Sequence, residues 1–357
     1  MASVASFVHS TVWLPRSPRS LLAHRNLLLA VLGALLAATI ALAWLTAAPP
    51  APQVVVAEIQ AAAKPSATPP PAAPAATPAP QPPTAAPAPA QAVIALTPAP
   101  DPALIEKNPY GWLPTKSPDG RQAWMVYARP FDRSGKQPRI AMVISGLGLS
   151  KLTTQNAIRN LPPEVTLSFM PYHTIAAMME EARAAGHETL IDVPMEPLDY
   201  PRQDPGPEAL LVALDPAQNL DRLHWMMGRG TGYVGMMTYM GSRFAATPEQ
   251  LRPILGDIKG RGLAFVDARS TADGTAMKLA AEMKLPRGAA DRVLDTDLSR
   301  SGIEQQLGEL ETLARRNGSA IGVGAAYPLT IQAVATWSAR LAERGIVLAP
   351  LSAVLVP

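Results

Sequence analysis

No cysteine occurs anywhere in the chain. That excludes a disulfide framework and any Cys-ligated zinc site, and it suits an oxidising compartment without requiring one. Histidine is almost as scarce, with five in all. His9 and His24 precede a long apolar run, and His224 lies within a helical pattern beside Trp225. His187 follows a helix-ending Gly186 and leads into a strand. Only His173, in "SFMPYHT" after a strand, falls near a strand exit, and one histidine does not make a His-rich zinc site. No GxGxxG or Walker pattern follows a strand, and no GxSxG nucleophile elbow is present. The net charge is only +3, with the basic residues scattered, so nucleic acid is not an expected partner.

Charge is also missing from Leu27–Ala48, "LLLAVLGALLAATIALAWLTAA". At about 22 residues this run matches the ~20 apolar residues that span a bilayer core, and it exceeds the 7–15 of a signal-peptide apolar region. Arg16, Arg19 and Arg25 precede it and few charges follow. An uncleaved single-pass anchor is expected, with residues 1–26 cytoplasmic and the rest of the chain across the membrane. Trp44 suits an interfacial position. Proline, by contrast, is abundant at 39 residues, and nearly half of them lie in 49–103 among Ala, Thr and Gln. Such a segment buries too little apolar surface to offset its ordering entropy and reads as an extended tether. Residues 104–138 form a lead-in.

From 139 to 357 the chain alternates. Strands are expected at Ile140–Ile144, Val165–Phe169, Thr189–Val193, Tyr233–Met236, Leu263–Val266, Val293–Leu294, Ala320–Val323 and Val347–Leu351. Helical patterns run between them, roughly over Ser150–Asn160, Thr174–Ala185, Pro216–Met227, Pro248–Arg261, Asp273–Met283, Ile303–Asn317 and Thr330–Arg344. Asp215-Pro216 and Thr247-Pro248 each read as an N-cap followed by Pro at the first helical position. Repeated βα units imply an α/β fold with a parallel sheet, here a distorted or incomplete (β/α) barrel whose working face is the strands' C-terminal ends. The first such exit, "RIAMVISGLGLS", holds Ser145 and Gly146 where a charged or nucleophilic group is expected.

The strand exits "IDVPMEPLDYPRQDPGPEALL", "GYVGMMTYMGSRF" and "GLAFVDARS", with "YP" after a Gly-rich strand, resemble the divergent polysaccharide deacetylases. These are bacterial envelope proteins with a deacetylase-type barrel. The resemblance covers roughly Arg139–Leu351. It implies an inner-membrane protein with a periplasmic domain, acting in envelope carbohydrate metabolism on glycan or peptidoglycan. It also implies a divalent metal such as zinc, held by Asp and His and activating water beside a carboxylate base. The departures are specific. Members usually read "IDDLG" where Ser145 and Gly146 stand, "NHMGS" where Tyr239 stands, and Gly-His where Gly324-Ala325 stands. Glu196, Ser242, Arg243, Asp267 and Tyr327 persist.

Ser145 and Gly146 lack the charge of an Asp pair, so no metal or other cofactor is expected, and the pocket reads as vestigial. Ser145 as a nucleophile needs a base within reach, and His173 is the candidate, with nothing marking it as reaching. Asp192, Glu196, Asp267 and Asp295 are candidates for a replacement carboxylate site, or else they hold loops through hydrogen bonds. Three functions stand side by side. The domain is a degenerate homologue that binds glycan, with Tyr172, Tyr200, Trp225, Tyr239 and Tyr327 as aromatic surfaces. It is an active metal-dependent deacetylase with a rebuilt site. Or it is an envelope scaffold that binds proteins.

Overall fold

A computed structural model describes residues 94–357. The expected anchor at 27–48 and the tether up to residue 93 lie outside the described residues. Among the described residues no helix is long and apolar enough to cross a membrane.

An antiparallel hairpin, β1 (Ile105–Asn108) and β2 (Gly111–Pro114), and a short helix α1 (Ala123–Val126) form the lead-in. The main body then runs β3 (Arg139–Leu147), α2 (Lys151–Asn160), β4 (Thr166–Phe169), α3 (Ala176–Ala184), β5 (Thr189–Met195) and α4 (Pro216–Met227). It continues with β6 (Gly235–Met240), α5 (Pro248–Gly260), β7 (Ala264–Asp267), α6 (Thr275–Glu282), β8 (Arg287–Ala289) and β9 (Arg292–Val293). The last elements are α7 (Arg300–Asn317), β10 (Ser319–Ala325), α8 (Pro328–Ser338) and β11 (Val347–Ala349).

The strands pair in parallel in the order β8-β7-β6-β5-β4-β3-β10-β9. The two edge strands are consecutive in the chain. Between them Ala290 N donates to Asp267 O (2.8 Å) and Asp291 N to Ile321 O (2.7 Å). One short, bent stretch thus leans first on β7 and then on β10, joining the edges of an incomplete barrel. Ile140–Ile144 and all of β5 are buried, as expected for parallel strands covered on both faces.

Several boundaries differ from the sequence expectation for identifiable reasons. β8 is "RGA", with no β-branched or aromatic residue to announce it. Its Gly288 packs so closely that an added Cβ would stand 2.8 Å from Ile321 and Leu355. Helix α7 starts at Arg300 rather than Ile303 because the Ser299 hydroxyl accepts from Gly302 N. Asp215 caps α4 in a full capping box with Gln218. Thr247 does not cap α5, because its hydroxyl donates to Arg243 O instead. The expected last helix stops at Ser338, and Pro350 ends β11 two residues before Leu351.

The domain also begins earlier than the 103/104 boundary read from composition. Buried Arg183 donates to Thr97 O (2.7 Å) and Gly232 O (2.7 Å) and lies 5.0 Å from the Tyr127 ring centroid. Asp101 N donates to the Tyr127 hydroxyl. Composition does not reveal this docking, because at Thr97 and in the Tyr127 contact of Asp101 the chain is held through main-chain atoms. At the strands' N-terminal end, buried Glu188 accepts from Arg129 N (2.9 Å), Ser352 N (3.0 Å) and the Ser352 hydroxyl. It thereby ties the lead-in and the C-terminal segment to the barrel.

Candidate functional site

β3 is the longest strand, and β10 pairs with it from Arg139 to Ser145. Its other edge is shared, β11 taking Arg139–Ala141 and β4 taking Val143 onward, with a register shift between Ile144 and Leu147. Ser145 and Gly146 sit in that irregularity. Gly146 has φ of +81°, and an added Cβ there would meet nothing within 4 Å. Bulges of this kind re-aim a side chain, and here the result brings Ser145 to an acid.

That acid is Asp192 of β5, two strands away. Ser145 Oγ lies 3.1 Å from each Asp192 carboxylate oxygen, and Gly146 N donates to Oδ2 at 2.8 Å. From the intervening strand β4, Ser168 Oγ donates to Oδ1 at 2.6 Å. Asp192 is fully buried and Ser145 nearly so, at 8% exposure. Burial pushes the Asp192 carboxyl up to about 6, against the opposing effect of the bonds from Ser168, Gly146 and Ser145. Burial is also the main cause that raises the Tyr239 phenol, with the Asp192 charge adding to it.

The other acids do not converge with it. Glu196 accepts from Val212 N (2.6 Å) and pairs with Arg243 (2.9 Å). Asp267 Oδ1 accepts from Ser270 N (2.8 Å), Ser270 Oγ (2.6 Å) and Thr238 Oγ1 (3.2 Å). Asp295 accepts from Ala325 N (2.6 Å) and Thr330 Oγ1 (3.1 Å). Ser242 Oγ accepts from Leu198 N and so supports the loop after β5. Among the described residues no group of three or more His, Cys, Asp or Glu side chains is arranged to hold a metal ion. A replacement carboxylate site from these four acids is therefore not assembled. His173 is exposed, and only its carbonyl, accepting from Arg229, is hydrogen-bonded. Among the described residues no hydrogen bond joins it to Ser145, whose partner is Asp192.

Over Ser145 lies a small concavity of about 170 Å³, lined by Ser145, Gly146, Leu149, Tyr239, Ala325 and Tyr327 among others. The hydroxyls of Ser145, Ser150, Thr153 and Thr154, two phenols and apolar side chains do not supply the anionic and imidazole donors that zinc requires, so these residues do not fit the family's metal. Of the five aromatics considered, only Tyr239 and Tyr327 line this space. Tyr172 and Trp225 pack against each other (centroids 6.0 Å apart), with Arg229 over the indole.

Sequence reasoning missed the Ser145–Asp192 contact and the part played by Ser168. The available signal was a polar residue inside each of two strands that are apolar after an opening threonine, Ser168 in β4 and Asp192 in β5. A buried polar residue of that kind needs a partner.

Residues 142–355 match the family described as divergent polysaccharide deacetylase. An uncharacterized protein of Haemophilus influenzae is 28% identical over 196 residues, covering 55% of this chain and 69% of its own length. The uncharacterized protein YibQ of Escherichia coli is 25% identical over 196 residues, covering 54% of this chain and 60% of its own. Among solved structures, uncharacterized protein ATU2773 of Agrobacterium tumefaciens is 42% identical. That match covers 68% of this chain and 99% of that one, with a TM-score of 0.66. The parallel-sheet barrel and the match over most of the described domain place this chain in the divergent polysaccharide deacetylase family.

Proposed function

We propose that this is a membrane-anchored envelope protein whose barrel binds glycan or peptidoglycan fragments at the strand-exit pocket without metal-dependent deacetylation. One observation carries the reading. The positions of the family's acid pair and histidines hold Ser145, Gly146, Tyr239 and Ala325, and each remaining acid nearby is engaged by hydroxyls, backbone N–H groups or Arg243. What is left is a shallow space flanked by two tyrosines, Tyr327 being 47% exposed. An aromatic face with a polar tip suits a ligand that is apolar on one side and hydroxylated on the other.

Titration calorimetry of the full chain with acetylated chito-oligosaccharides and with muropeptides tests it. Binding is expected, and Tyr239→Ala and Tyr327→Ala should each weaken it by roughly tenfold, about 1.4 kcal/mol. Absence of binding to either ligand, or equal binding by wild type and the double variant, contradicts the reading.

A further inference from the structure

We infer that Ser145 is the nucleophile, and Asp192 the base, of a metal-independent acyl transfer acting on small O-acyl esters at the strand-exit pocket. The inference goes beyond the glycan-binding reading and does not rest on it. A serine works as a nucleophile when a base lies within hydrogen-bond reach and a third group orients that base. Ser145 Oγ stands 3.1 Å from both oxygens of Asp192. The carboxylate is fixed in turn by Ser168 Oγ at 2.6 Å and Gly146 N at 2.8 Å.

Placement separates the roles. Ser145 lines the pocket, whereas Asp192 is fully buried behind it. A ligand therefore meets the hydroxyl and not the acid. Asp192 also has no ion-pair partner among the described residues, unlike Glu196, which Arg243 neutralises. Its negative charge is free to take a proton from the one nucleophilic hydroxyl that faces the pocket from this cluster. Tyr239 and Tyr327 bring hydroxyls that are in no hydrogen bond among the described residues. Such donors suit a developing oxyanion. Leu149, Ala325 and Ala326 give an apolar wall, and about 170 Å³ suits a short acyl group such as acetyl.

The step balances without a metal or a redox partner. Ser145 Oγ bonds to the acyl carbon while its proton passes to Asp192, and the carbonyl electron pair moves onto oxygen beside the tyrosine hydroxyls. The carbonyl re-forms as the ester C–O bond breaks. The departing oxygen takes a proton from water entering the pocket and leaves as an alcohol, and the hydroxide so formed adds to the acyl carbon. The Ser145–acyl bond then breaks, the carboxylic acid departs, and the Ser145 oxygen takes its proton back from Asp192.

The test uses the full chain, purified with its N-terminal segment, in the presence of a chelator. It is treated with p-nitrophenyl acetate and, separately, with a fluorophosphonate probe, and the modified peptide is mapped by mass spectrometry. The expected result is an adduct on Ser145 with both reagents. The adduct should be absent in Ser145→Ala, and fluorophosphonate labelling in Asp192→Asn should be slower by roughly 100-fold, as for loss of a positioned base. An unmodified Ser145 in folded wild-type chain overturns the inference, as does equal labelling of Asp192→Asn. The wild-type adduct is read without any substitution, so a variant that misfolds does not leave the question open. Persisting glycan binding with an inert Ser145 would defeat the dyad alone, and lost binding with a labelled Ser145 would defeat only the glycan reading.

Discussion

Asp192 is a charge confined where water does not reach, and its proton equilibrium should be readable as stability. Its carboxyl is raised from 3.8 to about 6 on folding. Below the unfolded value both states are protonated and there is no penalty. As pH rises through the folded value, the native state must ionise a buried group, so stability falls across about pH 4 to 6 and stays lower above it. The loss is on the order of 3 kcal/mol for such a shift. Tyr239 is the titratable group nearest in influence, and it stays neutral throughout this window. The melting-temperature difference between Asp192→Asn and wild type should therefore move in the variant's favour between pH 4 and pH 7. An unchanged difference would show that Asp192 does not titrate in this window. The same residue qualifies what Ser145→Asp would do. It would set two carboxylates against each other, one of which must keep its proton, so one substitution does not rebuild an acid pair. At this scale the sequence was legible in part. The losses at Ser145, Gly146, Tyr239 and Ala325 were plain, but the acid that reaches Ser145 stands 47 positions away, and only the sheet register brings them together.

At the scale of elements, the β3 exit depends on two glycines with different constraints. Gly146 has positive φ but open space around a would-be Cβ. Gly148 has φ of +90°, and a Cβ there would stand 2.7 Å from Ile175 Cγ2, while its N–H donates to Thr154 Oγ1. Gly146→Ala should cost about 1 kcal/mol, from backbone strain alone. Gly148→Ala should cost more, roughly 2–4 kcal/mol, because the buried Ile175 side chain must also yield. Urea unfolding of the two variants checks the order, and equal midpoints would contradict it. Most elements were legible because periodicity survives where a strand or helix is long and covered, as in β3 and α4. β8 and β9 were harder to read, since their five residues pair through backbone alone and contain one β-branched side chain. The docked Thr97 was hidden for the same reason, because a carbonyl carries no residue identity.

For the whole molecule, the docking of Thr97 and Asp101 sets where the domain begins. A chain starting at Ile94 keeps the acceptor for Arg183, and one starting at Leu104 leaves that guanidinium short of a partner. The shorter chain should be less stable by about 1–3 kcal/mol, and equal urea midpoints would return the boundary to residue 104. The proposed topology predicts that alkaline phosphatase fused after Ala90 is active and that a fluorescent cytoplasmic reporter fused there is dark. The reverse pair would invert the chain in the membrane. The central claim, that the strand-exit pocket has lost the family's metal chemistry, has one direct measurement. Metal content of the purified full chain should be read together with acetate release from acetylated chito-oligosaccharides, with and without a chelator. The account predicts no stoichiometric zinc or cobalt and no chelator-sensitive release. Stoichiometric metal, with acetate release abolished both by the chelator and by Asp267→Asn, would contradict it.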